Sequence, residues 1–292
     1  MKADLLEAAP GHPERSRGIP TSRATGKLRK VYHEHDASAW SVLAGRIGIA
    51  VGAIVLWETL ARVKIISPLM WSMPSLIWAE FMRTLLDGEL FTDAQFTFTA
   101  TIAGFVIGTL TGSAIGLSLW WSTWYAKVAE PFLIVFEGIP KLALAPIVVL
   151  VLGLGIESKI GMAVALTVVI SALTTSAGMR AVDRDLVRLV FALGATRWQV
   201  FSKVILPGTL PAMLSALRIN IGLALAGDIV GELIGSKHGL GRSIEYAGST
   251  YNIALIWSGI FTLSLLSIVL YLVTSWLEST LLRRFFHTTA RR

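Results

Sequence analysis

The chain has 292 residues, 54% of them apolar and only 15% charged, with 26 Lys and Arg against 19 Asp and Glu and no cysteine. A soluble domain of this size keeps about a quarter of its residues charged, so a soluble globule is excluded, as are a disordered chain, a collagen-like repeat and a disulfide scaffold. The missing cysteines also remove thiolate metal sites, a catalytic thiol and a redox switch.

Residues 1–45 read as a basic, disordered tail, with Pro10, Pro13 and Pro20 and few large apolar side chains. Asp4, Glu7 and Glu14 occupy the place where the apolar region of a signal peptide would begin, so none is expected. Three stretches then lack Asp, Glu, Lys and Arg altogether: 98–119, 160–179 and 258–277. Each has about the 20 residues that cross a bilayer. Three more carry isolated charges: 47–65 with Glu58 and Arg62, 131–152 with Glu137 and Lys141, and 211–235 with Arg218, Asp228 and Glu232. A buried core helix accounts for one such stretch but not for six, so the fold class is all-α, a polytopic membrane protein of about six transmembrane helices.

An even number of spans puts both termini on one side. With them inside, the inner segments hold 18 Lys and Arg and the outer segments six, an asymmetry that satisfies the positive-inside rule in this orientation. The termini and the 179–210 loop are therefore expected to be cytoplasmic.

Between the first two spans, Pro68 and Pro74 break the chain and residues 75–82 have the spacing of a surface-lying amphipathic helix. Gly104, Gly108, Gly112 and Gly116 make three consecutive GxxxG steps, a face on which another helix can approach closely. The partner is open between this chain and a second copy. In the third span Glu137 and Lys141, four apart, are placed for an ion pair; alternatively Lys141, beside Pro140, faces a central pathway and meets an anionic group. Asp228 and Glu232 share a face of the fifth span and need a cation, from Lys141, Arg218 or a second copy. Residues 235–241, with Gly235, Gly239 and Gly241, read as a flexible gate or a tight turn.

The loop 181–207 is the most informative segment. Asp183 or Asp185 is placed to cap a helix with Leu186, Leu189, Val190 and Leu193 on one apolar stripe, ended by Gly194. A second short helix, 196–204, brings Trp198, Phe201 and Ile205 together and stops before Pro207 and Pro211. The histidines (His12, His33, His35, His238 and His287) do not cluster, so neither a metal site nor a catalytic constellation is expected.

The run Gly194-Ala195-Thr196-Arg197-Trp198, followed by Val204-Ile205-Leu206-Pro207, resembles the "EAA" loop of permease subunits of bacterial binding-protein-dependent ABC importers. Gly138-Ile139-Pro140-Lys141 through Pro146, Gly153-Leu154-Gly155-Ile156-Glu157-Ser158-Lys159 and Gly231-Glu232-Leu233-Ile234-Gly235 resemble the nitrate/sulfonate/taurine/bicarbonate-like branch. The resemblance implies a type I importer permease fold over 46–282, with its core at about 93–280, the coupling loop at 181–207 and a cytoplasmic tail at 283–292. It implies that Arg188, Ala192, Gly194, Ala195, Thr196, Arg197, Trp198, Phe201, Leu206 and Pro207 engage an ATPase. Glu137, Pro140, Lys141, Asp228 and Glu232 are the residues expected along the pathway.

The implied partners are two ABC ATPase subunits, a second permease copy and an extracytoplasmic substrate-binding protein, in the bacterial plasma (inner) membrane. No cofactor is expected on this chain; ATP and Mg belong to the ATPase, and no GxxxxGK[ST] phosphate loop occurs here. The implied substrate is a small anion or polar solute such as a sulfonate, taurine, nitrate or bicarbonate. The chain departs from the pattern at Arg188-Leu189-Val190, where the family has Glu-Ala-Ala, and at Glu137 and Lys141, where the branch commonly has Arg and Pro. An ATP-independent secondary transporter is the alternative, but it calls for an internal repeat and usually more spans. A membrane-embedded enzyme comes third.

Overall fold

The computed structural model describes residues 39–286, and every regular element among them is helical. They form α1 (Ala39–Arg62), α2 (Pro68–Trp71), α3 (Pro74–Leu86), α4 (Glu89–Ser118), α5 (Thr123–Gly138) and α6 (Ala145–Leu152). The order continues with α7 (Ile156–Arg180), α8 (Arg184–Ala192), α9 (Arg197–Val200), α10 (Leu206–Ile234), α11 (Leu240–Ser249) and α12 (Ile253–Phe286). Residues up to Ala53 group as one unit and those from Ile54 as another.

Most of the expected tail, residues 1–38, lies outside the described residues, as do residues 287–292. Residues 39–45 were assigned to that tail but form the opening turns of α1: Ala39, Trp40, Val42, Leu43 and Ala44 extend the apolar run of the span backward. At the other end α12 runs on to Phe286, through the expected boundary at 282.

Five helical stretches are long and apolar enough to cross a membrane, and α5 with α6 makes a sixth that is bent by 78°. The expected span 131–152 is thus two pieces. Pro140 disfavours the α conformation at Ile139 and supplies no amide donor, so the chain leaves the helix at Ile139 (ψ 132°) and resumes through a 3-10 turn at Lys141–Leu144.

The glycine face of α4 packs on α7 in the same chain. A Cβ built at Gly104 would strike Ala163, one at Gly108 would strike Thr167, one at Gly112 would strike Ser171 and one at Gly116 would strike Thr175. Both numbers rise together in steps of four, so α4 and α7 run parallel. Two consecutive parallel spans require the chain to return across the bilayer between them, which makes α5 and α6 one broken span and the total among the described residues six. Against α10 the register is reversed. Thr97 pairs with Glu232, Thr101 with Asp228 and Thr109 with Asn220, and Phe105 packs with Ala224 in the apolar cluster between them.

α3 is longer than expected and is pinned at its first turn and near its middle. Its first turn is capped by Glu58 of α1, whose carboxylate accepts from the Ser75 N–H at 3.0 Å and contacts the Ser75 hydroxyl at 2.9 Å. This cap explains why an acidic residue is kept in the first span. Phe81 meets Phe261 of α12 edge to face, with ring centroids 5.5 Å apart.

Candidate functional site

At one end of the bundle α8 and α9 form the loop singled out in the sequence. The Asp183 side chain caps α8 by accepting from the Asp185 N–H at 2.8 Å. The helix ends at Gly194, where φ is +87° and where the Ala195 N–H reaches the Val190 carbonyl and the Gly194 N–H the Phe191 carbonyl. That is a left-handed helix end, a conformation only glycine adopts without strain. Thr196 and Gln199 then cap α9 reciprocally.

Two expectations for this loop are corrected. The apolar stripe divides between two faces: Val187 and Val190 pack inward with Leu119, Met179, Phe201 and Ile205, while Leu186 (45% exposed), Leu189 (56%) and Leu193 (79%) point away from the protein. The helix after Thr196 also does not stop before Pro207. It passes through a π-helical turn at Phe201–Ile205 straight into α10, giving one continuous stretch, Arg197–Ile234. The wider turn accommodates Pro207, which sits in the first turn of α10, where an amide donor is not needed.

Trp198 stacks on Trp121 at 5.8 Å and meets Phe201 in a tilted contact at 5.6 Å, and Phe201 also meets Trp120 and Trp121. This aromatic cluster ties the loop to the end of α4. Trp120 and Trp121 escaped the sequence reading because they follow the span rather than lying in the loop. Arg188 is 79% exposed in its side chain and lies 3.3 Å from Asp185, one turn before it. Ala192, the last residue of α8, is exposed, whereas Leu206 begins α10 directly above the π turn.

The opposite end is built on buried polar groups. Glu232 is 1% exposed and Asp228 is fully buried. Glu232 accepts from Thr97 at 2.8 Å and from the Gly241 N–H at 2.7 Å. The Thr97 hydroxyl accepts from the Leu240 N–H, and Asp93 accepts from the Gly239 N–H at 2.8 Å. The first amides of α11 therefore point into a carboxylate–threonine cradle, which suits the positive end of a helix.

Lys159 is a fully buried cation at this end of the bundle, but among the described residues it makes no ion pair with Asp228 or Glu232, whose carboxylates are held by hydrogen bonds instead. Its ammonium donates to the carbonyls of Leu154 and Gly235 and to the Ser158 hydroxyl. Arg218, expected as a candidate partner, instead pairs with Glu278 of α12. The segment 235–241 is accordingly clamped at both ends, which corrects the flexible gate to an anchored turn. Lys159 and Thr97 were missed; the available signals were a lone lysine at the head of a charge-free run and threonines four apart, the spacing of Asp228 and Glu232.

Asp228 and Glu232 lie inside the helix bundle of the single chain and do not line an open path. Glu137 and Lys141 do form the ion pair, at 2.9 Å, with the Lys141 ammonium also 3.0 Å from the Glu137 carbonyl. The pair spans the break at Pro140, however, and does not lie along one helix face.

The family model described as "Binding-protein-dependent transport system inner membrane component" matches residues 104–287. The chain is 33% identical over 231 residues to a formylaminopyrimidine transport permease protein, ThiX, of Halalkalibacterium halodurans, covering 78% of this chain and 91% of that one. It is 27% identical over 231 residues to the taurine transport system permease protein TauC of Escherichia coli, covering 77% and 84%. A solved inward-facing structure of the MetNI methionine ABC transporter matches with a TM-score of 0.55 at 20% identity, covering 68% of this chain and 97% of that one, a likeness of fold. Six spans, the aromatic-anchored loop between the fourth and fifth, and a family match over most of the helical core lead to one assignment: the chain belongs to the family of binding-protein-dependent ABC importer permeases, the membrane-spanning, non-ATPase subunits of such systems.

Proposed function

We propose that this chain forms, with a second copy of itself, the translocation pathway of an ATP-driven importer, and that the 183–207 loop couples it to an ATPase. One observation carries the proposal. α8 turns Leu186, Leu189 and Leu193 outward while Val187 and Val190 fix it to the bundle. A helix of nine residues that is held on one side and apolar on the other is suited to seat in a cleft of another protein. Each copy would carry one ATPase subunit, two in all, which bind the ATP and Mg. An extracytoplasmic binding protein would deliver the substrate.

The orientation in the proposal follows the charge asymmetry: termini and loop in the cytoplasm, the α11 end outside, in a bacterial inner membrane. The pathway is assigned to the break between α5 and α6. Gly138 and Pro140 are exposed there, in the middle of a span. Irregular backbone at membrane depth is tolerated only where protein covers it or where it lines a water-filled cavity. Glu137, Pro140 and Lys141 thus remain in the pathway proposal, whereas Asp228 and Glu232 are assigned to holding the outer turn. The substrate is proposed as a small polar solute, with sulfonates such as taurine the first class to test.

The experiment is co-purification with the ATPase encoded beside this chain, followed by ATPase assays in lipid with and without the binding protein and a panel of small solutes. A stable complex that is stimulated by loaded binding protein is expected. A chain that purifies alone and transports without ATP would overturn the proposal in favour of a secondary carrier.

A further inference from the structure

The near side of α8 bounds a separate feature. Between the first turns of α5, the end of α7 and α8 lies an open cavity of about 470 Å³. Arg180, Arg184 and Arg188 stand around it, Glu130 lies on one wall, and Trp120 and Met179 contribute apolar surface. Glu130 neutralises Arg180 through an ion pair. Arg188 shares Asp185 with solvent, their side chains being 79% and 87% exposed, and such a surface pair is weak. Arg184 has no partner among the described residues. The rim therefore carries more cationic charge than its own carboxylates compensate.

We infer that this cavity binds the phosphate of an anionic phospholipid, with Arg184 and Arg188 facing the headgroup and Trp120 beside the upper acyl chain. Basic pockets between membrane helices at the inner face are suited to anionic headgroups, and tryptophan is enriched at headgroup level. The source is a lipid rather than a soluble anion because much of the cavity's own lining is apolar, from Leu119, Ala126, Met179, Val182, Val187 and Ile205. The occupant would brace the face of α8 that carries Arg184 and Arg188 and leave Leu186, Leu189 and Leu193 free. The inference rests on the assignment of the loop end to the inner face. Lipid binding is read on this chain alone, so it stands or falls separately from ATPase coupling.

The test is native mass spectrometry and thermal unfolding of the detergent-purified full chain, titrated with phosphatidylglycerol, phosphatidylcholine or inorganic phosphate. Phosphatidylglycerol is expected to be retained preferentially and to raise the midpoint, with no effect of phosphate at millimolar concentration. Arg184→Gln should weaken the apparent affinity about fivefold, Arg184→Lys should retain part of it, and Arg242→Gln, at the opposite end, should leave the preference intact. Arg184 is exposed and unpartnered, so its replacement does not threaten the fold. Equal retention of both lipids, or an unchanged preference in the Arg184→Gln, Arg188→Gln double variant, would overturn the inference. A midpoint shift by phosphate equal to that by phosphatidylglycerol would overturn it in favour of a soluble anion.

Discussion

Thr101 of α4 donates a 2.7 Å hydrogen bond to Asp228 of α10, with both side chains fully buried. The bond is one rung of an antiparallel ladder in which each step of four residues along α4 answers a step of four back along α10, from Thr97–Glu232 to Thr109–Asn220. At the fourth step, beyond the apolar Phe105–Ala224 step, Asn220 also donates to Ser171 of α7 at 2.7 Å, so three spans meet at one amide. A carboxylate near the bilayer centre costs about 2.5–3.5 kcal/mol when it has no partner. The donors of the ladder are what make Asp228 and Glu232 tolerable inside the bundle.

A double-mutant cycle of Thr101→Val with Asp228→Asn, followed by reversible unfolding in mixed micelles, should give a coupling of about 0.6 to 1.7 kcal/mol. Lys159→Met should cost about 1–3 kcal/mol, because it leaves the buried Leu154 and Gly235 carbonyls without their donor. A Lys159→Met variant as stable as Lys64→Met, whose site is exposed, would contradict this role for the buried ammonium.

The α4–α7 contact predicts a contrast between glycines. Gly108→Val should fail to yield a monodisperse protein, because the added carbons collide with Thr167 and neither helix can withdraw without breaking the neighbouring steps. Gly222→Ala, where a Cβ meets nothing within 4 Å, should be tolerated, with a gain of up to about 1 kcal/mol from helix propensity. Size-exclusion profiles of the two variants decide the matter.

At the loop end, Leu186→Asp with Leu189→Asp should leave the melting temperature of the isolated chain nearly unchanged, since both side chains are already about half exposed. The same pair should abolish co-purification with the ATPase. Gly194→Ala should cost about 1–2 kcal/mol through its left-handed backbone, and it should lower stimulated ATPase activity before it lowers expression. Loss of the complex in neither variant would move the docking surface elsewhere.

A pH dependence follows from α3. Arg83 bonds the Glu80 carboxylate at 2.6 Å, and Asn252 donates to it at 3.1 Å; both hold its carboxyl below the usual glutamate value, Arg83 chiefly. A carboxyl lowered in the folded state contributes stability that is present above its unfolded value, about 4.3, and is lost as pH falls through the lowered folded value. Glu80→Gln should therefore reduce stability at pH 7 and flatten the acid limb below about pH 4.3. Parallel unfolding curves for wild type and variant across that range would disprove the contribution.

The spans were legible because a run of 20 apolar residues has few other destinations, and the loop was legible because Asp183, Gly194 and Thr196 are local caps whose meaning does not depend on distant contacts. The break at Pro140 was marked by its residue but read through, since hydropathy alone does not register a bend. The roles of Asp228 and Glu232 were beyond sequence reasoning for a different reason. Their donors, Thr97, Thr101 and the amide of Gly241, come from α4 and the start of α11, and only the antiparallel register of α4 and α10 brings them together. The outward turn of Leu186 and Leu189 was hidden likewise, because α8 has apolar residues on two faces and only tertiary contact selects the one that is buried.

The uninterrupted run from Arg197 to Ile234 counts 38 residues, about 57 Å of helix at 1.5 Å per residue. Its first turn holds Trp198 and its last holds Glu232, which accepts from the Gly241 amide at the start of α11. One continuous helical run, with a π turn at Phe201–Ile205 and Pro211 along its course, thus joins the loop end of the bundle to the α11 end. One helix therefore carries both the aromatic that anchors the loop and the carboxylate that holds the α11 turn, so a variant that tilts it is expected to disturb the two ends together.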